Sequence, residues 1–164
     1  MVSLGYRLIL LLFLVVTMTT AEAQNKLGGH FGAVIPLATV TEDETTTLSD
    51  NFSIGFPMGI TVKKSDKIAF DLEIVPVIDE HFVSLLIHPG LLVGLGNSFT
   101  FGTRAAFEIN QRSFGFTPLL NKSFPLDSDY SGFVEVVFPI RFVEDVTGDN
   151  TTALTVGVHF GIGF

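Results

Sequence analysis

The chain has 164 residues, a formal net charge of −8 and no cysteine. This excludes a disulfide framework, cysteine-based metal or nucleophile sites, and a nucleic-acid partner attracted by charge. It is 47% hydrophobic but only 16% charged, with a mean hydropathy of +0.51, whereas roughly a quarter of a soluble domain is charged.

The first element is a segment to set aside. Met1 to Arg7 ends on one positive charge, Leu8 to Val16 (LILLLFLVV) is unbroken apolar sequence, and Ala21-Glu22-Ala23 precedes Gln24. The pattern predicts a cleaved secretory signal peptide over residues 1–23. The apolar run falls short of the ~20 residues that a spanning helix needs. Residues 24–164 then form one domain by length. No later stretch approaches a spanning helix, and only helices and closed barrels satisfy every backbone polar group in lipid, so a barrel remains.

Eight segments carry apolar residues at every second position, the period of a strand with two different faces. The first, Leu27 to Val40, is mixed. The second sets Phe52, Ile54, Phe56, Met58, Ile60 and Val62 against Ser53, Gly55, Pro57, Gly59, Thr61 and Lys63. The third sets Ile68, Phe70, Leu72 and Ile74 against Ala69, Asp71, Glu73 and Val75. The fourth, Phe82 to Gly96, has apolar residues on both faces. The fifth sets Phe99, Phe101, Ala105, Phe107 and Ile109 against Thr100, Gly102, Arg104, Ala106 and Glu108. The sixth, Ser113 to Leu120, is again mixed. The seventh sets Val134, Val136, Phe138, Ile140 and Phe142 against Glu135, Val137 and Arg141. The last sets Leu154, Val156, Val158, Phe160, Ile162 and Phe164 against Ala153, Thr155, Gly157, His159, Gly161 and Gly163. The spacing predicts an all-β fold, an eight-stranded antiparallel up-and-down transmembrane β-barrel following the signal peptide. Pro57, Pro76, Pro89, Pro118 and Pro139 fall inside these segments, where each withdraws a ladder hydrogen bond. The strands are therefore bulged there, or their boundaries differ.

The second face consists of Gly, Ser, Thr and Ala with isolated charges, too small and too sparsely charged for a solvated exterior. It suits the interior of an eight-stranded barrel, which has room only for side chains. The large apolar face is assigned to lipid, and a soluble lipocalin-like ligand barrel, which needs an apolar interior, is disfavoured.

The signal peptide, the eight strands and the terminal V-H-F-G-I-G-F ending on Phe164 resemble the outer-membrane barrels of the OmpA and OmpX type over all of residues 24–164. The resemblance implies the outer membrane of a Gram-negative bacterium, a surround of lipid and lipopolysaccharide, and a terminal strand read by the barrel-assembly machinery through Phe160, Ile162 and Phe164. It also implies an upward first strand. Thr41–Asn51, Ile78–His81, Asn110–Arg112 and Glu144–Asn150 then face outward, and short turns at Ser65-Asp66 and Gly96-Asn97 face the periplasm. Asn121 to Asp129 is longer than such a turn. The chain departs from the usual Tyr and Trp girdles, with 2 Tyr, no Trp and 17 Phe. Glu42, Asp43, Glu44, Asp50, Glu144, Asp145 and Asp149 make two outer loops acidic; without ligand spacing they read as hydrated loops, the alternative being cation-bridged contact with lipopolysaccharide.

Position counting places Asp71, Glu73, Arg104 and Glu135 in one layer near mid-lumen, with Glu108 and Arg141 paired above. Buried charges need such partners, and Arg104 can bridge carboxylates with its planar fork. Near-balance of acids and bases predicts a salt-bridged plug, where an unbalanced ring would predict a selective pore. His30, His88 and His159 also point inward, with His30 and His159 neighbours across the closing seam. Two imidazoles without a third ligand predict polar filler and no metal or other cofactor. His81 and Ser84, beside Asp79 and Glu80, project to opposite faces, which is poor geometry for a base and its nucleophile, so no enzyme is expected. The expectation is a monomeric structural or surface-interaction barrel. The alternative is a small passive pore or conduit for small apolar molecules.

Overall fold

The computed structural model describes residues 27–109, 113–127, 129–144 and 150–164. The predicted signal peptide, the Asn110–Arg112 connection and the loop acids Asp145 and Asp149 lie outside them. The strands are β1 (Leu27–Val40), β2 (Thr45–Thr47), β3 (Ile54–Gly55), β4 (Met58–Lys63), β5 (Ile68–Ile78), β6 (Val83–Gly96), β7 (Phe99–Glu108), β8 (Ser113–Pro125), β9 (Ser131–Val137), β10 (Ile140–Glu144) and β11 (Asn150–Gly163). All pairings are antiparallel. β3 with β4, and β9 with β10, each form one interrupted stave, giving a closed eight-stranded barrel. β2 folds back on the outer end of β1 as a short hairpin, Val40 opposite Thr45.

Closure runs along β1 and β11, from His30 opposite Gly163 to Val40 opposite Leu154. Beyond the last paired residue, Gly29 and Phe164 exchange backbone hydrogen bonds of 2.8 and 2.9 Å. The terminal strand therefore has a partner on each side, and among the described residues the eight staves close into a ring. At the seam Gly32 opposes Gly161. A Cβ on Gly161 would meet Phe31 O, and one on Gly32 would meet Phe160 O, so the strands close here because neither residue has a side chain.

The prolines explain the interrupted staves. Pro57 O accepts from Gly32 N (3.0 Å), Pro76 O from Phe56 N (2.9 Å), Pro118 O from Phe138 N (2.9 Å) and Pro139 O from Thr155 N (2.8 Å). None can donate in return, so each position keeps half of an exchanged pair. The breaks between β3 and β4 and between β9 and β10 fall at Pro57 and Pro139. Pairing of β6 with β7 lapses between Ile87 and Gly90, where Pro89 lies. At Pro36 the ladder shifts register, a bulge that turns Thr39 inward against Thr155 (Oγ1 to Oγ1 2.9 Å). Mixed apolar character in the first segment follows from this change of phase and from inward Val34.

Two boundaries differ from the sequence expectation. Asn121 to Pro125 continues β8, pairing Asn121 with Glu135 and Pro125 with Ser131. The connection to β9 is therefore short, and the long turn does not exist. β5 extends to Ile78, so the outer turn closes from Asp79 N to Phe82 O (3.2 Å). At the opposite end, Gly96 pairs Phe99 across Asn97 and Ser98, whose φ values are +51° and +60°. Positive φ at both central residues is the hairpin geometry that matches strand twist.

The wall has inverted polarity. Phe31, Met58, Ile60, Phe70, Leu91, Phe101, Phe107, Phe114, Val134 and Phe160 are exposed outward, whereas Asp71, Glu73, Arg104 and Glu135 are buried within. Toward the outer end, apolar side chains share the inward face with the buried hydroxyls of Ser84, Ser113 and Thr117. Val75, Leu86, Ala106 and Val137 are buried, and Val34, Val75 and Val77 converge where Gly55 leaves room. The polar lumen expected from the sequence is thus interrupted by apolar filling. Inward Leu86, Leu92 and Leu119 also account for the two-faced apolar character of the fourth and sixth segments.

Candidate functional site: a charged plug in the lumen

Arg104, near the middle of β7, is 3% exposed and reaches across the lumen. Its Nε donates to Asp71 Oδ2 (2.8 Å), Nη2 lies 3.2 Å from Glu73 Oε1, and Nη1 donates to Glu135 Oε1 (2.8 Å). One planar fork thereby ties β5 to β9 through β7, a charge-assisted geometry that a single ammonium could not supply. The remaining carboxylate contacts are also taken. Thr61 Oγ1 donates to Asp71 Oδ1 (2.7 Å), and Asn121 Nδ2 approaches Glu135 Oε2 at 3.4 Å. Around them stand the three histidines: His30 Nε2 is 2.8 Å from Glu73 Oε1, His88 Nδ1 3.4 Å from Glu73 Oε2, and His159 Nδ1 3.1 Å from Glu135 Oε1.

The alternation that faces Leu72 and Ile74 outward turns Asp71 and Glu73 inward, and the same parity positions Arg104 and Glu135. Gly59 and Gly90 provide space: a Cβ on Gly59 would strike the His30 ring, and one on Gly90 would lie 2.5 Å from Arg104 Cγ. His30 and His159 are neighbours, with ring centroids 6.2 Å apart, and Phe133 meets His159 edge-on at 4.8 Å.

Arg141 is directed into the plug. Its guanidinium donates to Thr117 Oγ1 (3.1 Å) and to the carbonyls of Phe116 and Ile140, and it meets His88 Nε2 at 3.2 Å. Glu108 stands farther toward the outer end on β7, near enough to act on the charge of Arg141. The expectation of an isolated upper pair is replaced by a continuous network from Glu135 to Arg141.

His30, Asp71 and Glu73 present ligand-type atoms within 4.8 Å of one another, a grouping that the sequence reading did not assemble. Arg104 occupies both carboxylates, so its guanidinium already supplies the positive charge a cation would bring. Thr61, Asn121 and Thr117 were also missed. Thr61 lies opposite Asp71 and is legible by register, whereas Asn121 falls in a polar stretch that reads as a turn.

Below the plug is a cavity of about 720 Å³ at the end bearing the short turns, with His30, Arg104, Glu135 and His159 at its inner end and Lys63, Thr100 and Tyr130 among its walls. Ser84 is buried inward on β6, while His81 is exposed in the outer turn, its amide donating to Asp79. The two do not meet. Phe160, Ile162 and Phe164 face outward on the closing strand.

A charged interior enclosed by a closed ladder and an apolar outer belt is an arrangement stable in lipid. The chain is a closed eight-stranded β-barrel with the inverted polarity of a membrane-spanning wall. No family profile and no curated protein matches its sequence. Similar solved structures include the outer membrane protein OprG from Pseudomonas aeruginosa, at 12% identity and a TM-score of 0.43 over 84% of this chain and 94% of that one. Another is the outer membrane protein AlkL in lipid bilayers, at 8% identity and a TM-score of 0.42 over 85% and 89%.

Proposed function

We propose that this barrel resides in the outer membrane as a sealed, non-conducting protein with a structural or surface-interaction role. The observation that carries this reading is Arg104, whose three nitrogens engage carboxylates from two other staves across the lumen. Val75, Leu86, Ala106 and Val137, buried beyond it, support the reading of a filled lumen. On this reading the outward row Phe160, Ile162 and Phe164 serves the barrel-assembly machinery, lipid and lipopolysaccharide form the surround, and the protein acts as a monomer without catalytic chemistry.

The alternative, a passive pore or a conduit for small apolar molecules, requires the plug to open. Planar-bilayer recording distinguishes them. A sealed barrel gives no sustained current as wild type, and Arg104→Ala, which leaves three carboxylates around a wetted gap, gives cation-selective current. Steady wild-type conductance that Arg104→Ala leaves unchanged would refute the sealed plug.

A further inference from the structure

The three plug histidines have partners that fix different protonation states. A guanidinium has donors only, so His88 Nε2, 3.2 Å from Arg141 Nη2, must accept, and the proton of His88 sits on Nδ1 facing Glu73. His159 directs Nδ1 at Glu135, while its Nε2 is buried against Gly32 without a hydrogen-bond partner. A second proton there would be a buried, charged donor with nothing to receive it. His30 alone has carboxylates at both nitrogens: Nε2 is 2.8 Å from Glu73 Oε1 and Nδ1 is 3.8 Å from Asp71 Oδ1. Only the doubly protonated ring presents a donor to each.

The charge count favours the same residue. Asp71, Glu73 and Glu135 share the single guanidinium of Arg104, so the layer is short of positive charge, and an imidazolium at His30 reduces that deficit, unbalanced charge held away from water being costly. The other elements packed about His30 bring Gly59 and Thr61 of β4, Phe133 of β9 with its ring centroid 6.0 Å away, and His159 of β11. Arg104 of β7 supplies the one opposing charge, offset by the carboxylates that it bridges. The His30 side chain is 10% exposed and lines the lower cavity together with Lys63, so protons reach it from that end.

We infer that His30 is the proton-binding residue of the plug, and that its imidazolium, formed from the lower cavity, clamps β1 to β5 and releases that clamp when the proton leaves. The inference rests on the sealed-plug reading above, but its test reads the imidazoles directly, so failure of either idea is seen separately. Side-chain 15N spectra of the wild-type barrel in lipid nanodiscs, recorded from about pH 5 to 8 where histidines titrate, report charge and tautomer for each ring. His30 passes between imidazolium and neutral ring, while His88 keeps a single proton on Nδ1. A His30 ring that stays neutral or stays charged throughout, or titration of His88 in its place, overturns the inference. In parallel, the urea midpoint of the wild type in lipid vesicles falls from about pH 5 to 8 as the clamp is released. His30→Gln, which keeps a donor for Glu73 but no charge, removes that fall. An equal pH response in both proteins refutes the clamp even where His30 titrates.

Discussion

Arg104→Ala tests the plug most directly. The side chain is 3% exposed and makes contacts of 2.8, 3.2 and 2.8 Å to Asp71, Glu73 and Glu135, themselves 0%, 2% and 2% exposed. Removing one partner of a buried ion pair costs about 3–5 kcal/mol, because the stranded charge keeps its desolvation penalty. That corresponds to roughly a hundred- to several-thousand-fold in the folding equilibrium. Urea titration of the refolded barrel in lipid vesicles, followed by the gel shift between boiled and unboiled samples, measures it. Glu135→Gln in the Arg104→Ala background removes one of the stranded charges and recovers part of the loss, with a coupling of about 0.5–3 kcal/mol in the double-mutant cycle. Arg104→Lys recovers less than wild type, since one ammonium cannot hold three staves. A change below about 0.5 kcal/mol for Arg104→Ala, the usual range for a surface substitution, would show that water already fills the layer and that the network is not a buried plug.

Other expectations follow from local geometry. Gly161→Ala, whose Cβ meets the backbone of Phe31 and Gly32, prevents the seam from closing and abolishes the heat-modifiable gel band, whereas Gly94→Ala, with its nearest atom 3.7 Å away, leaves it intact. At the Asn97-Ser98 hairpin, Ser98→Gly raises the urea midpoint, and Ser98→Val lowers stability by about 1–2 kcal/mol because φ is +60°. Equal midpoints for the two variants would contradict that turn. In the outer turn, the amides of His81 (2.7 Å) and Phe82 (3.0 Å) donate to Asp79 and hold its carboxyl below the ordinary 3.8. A depressed folded value means that the turn is supported above that ordinary value and loses support as pH falls through the lower folded one. The protection of these two amides relative to their intrinsic exchange rate therefore falls on acidification below about pH 3.8 and is low throughout in Asp79→Ala; unchanged protection in Asp79→Ala would exclude the carboxylate's role.

The parity of the strands was legible because a two-residue period survives any local irregularity shorter than a bulge. It turned Asp71, Glu73, Arg104 and Glu135 inward without any knowledge of strand pairing. Partner choice was less legible, since it depends on stagger between staves. Arg141 was aligned with Glu108 by counting residues, yet its side chain reaches back to Thr117 and His88. Proline signals were visible but ambiguous. Pro57 and Pro139 split staves, while Pro76 and Pro118 sit within them, because a proline carbonyl still accepts even though its nitrogen cannot donate. The apolar layer beyond the plug was hidden in the two-faced segments, where Val34, Leu86 and Leu119 read as irregularity and are in fact lumen filling.

That layer gives the barrel unequal ends. Toward the outer end, Val75, Leu86, Ala106 and Val137 bury apolar side chains inside the wall beside the hydroxyls of Ser84, Ser113 and Thr117, so part of the interior coheres as a soluble protein's core does. In the lower half, cohesion depends on hydrogen bonds and ions bordering an open cavity, where water competes. Detergent extraction or a thinned bilayer removes outside support from both halves alike. Such a cylinder frays first from the cavity rim, where the first and last strands meet at Gly29 and Phe164.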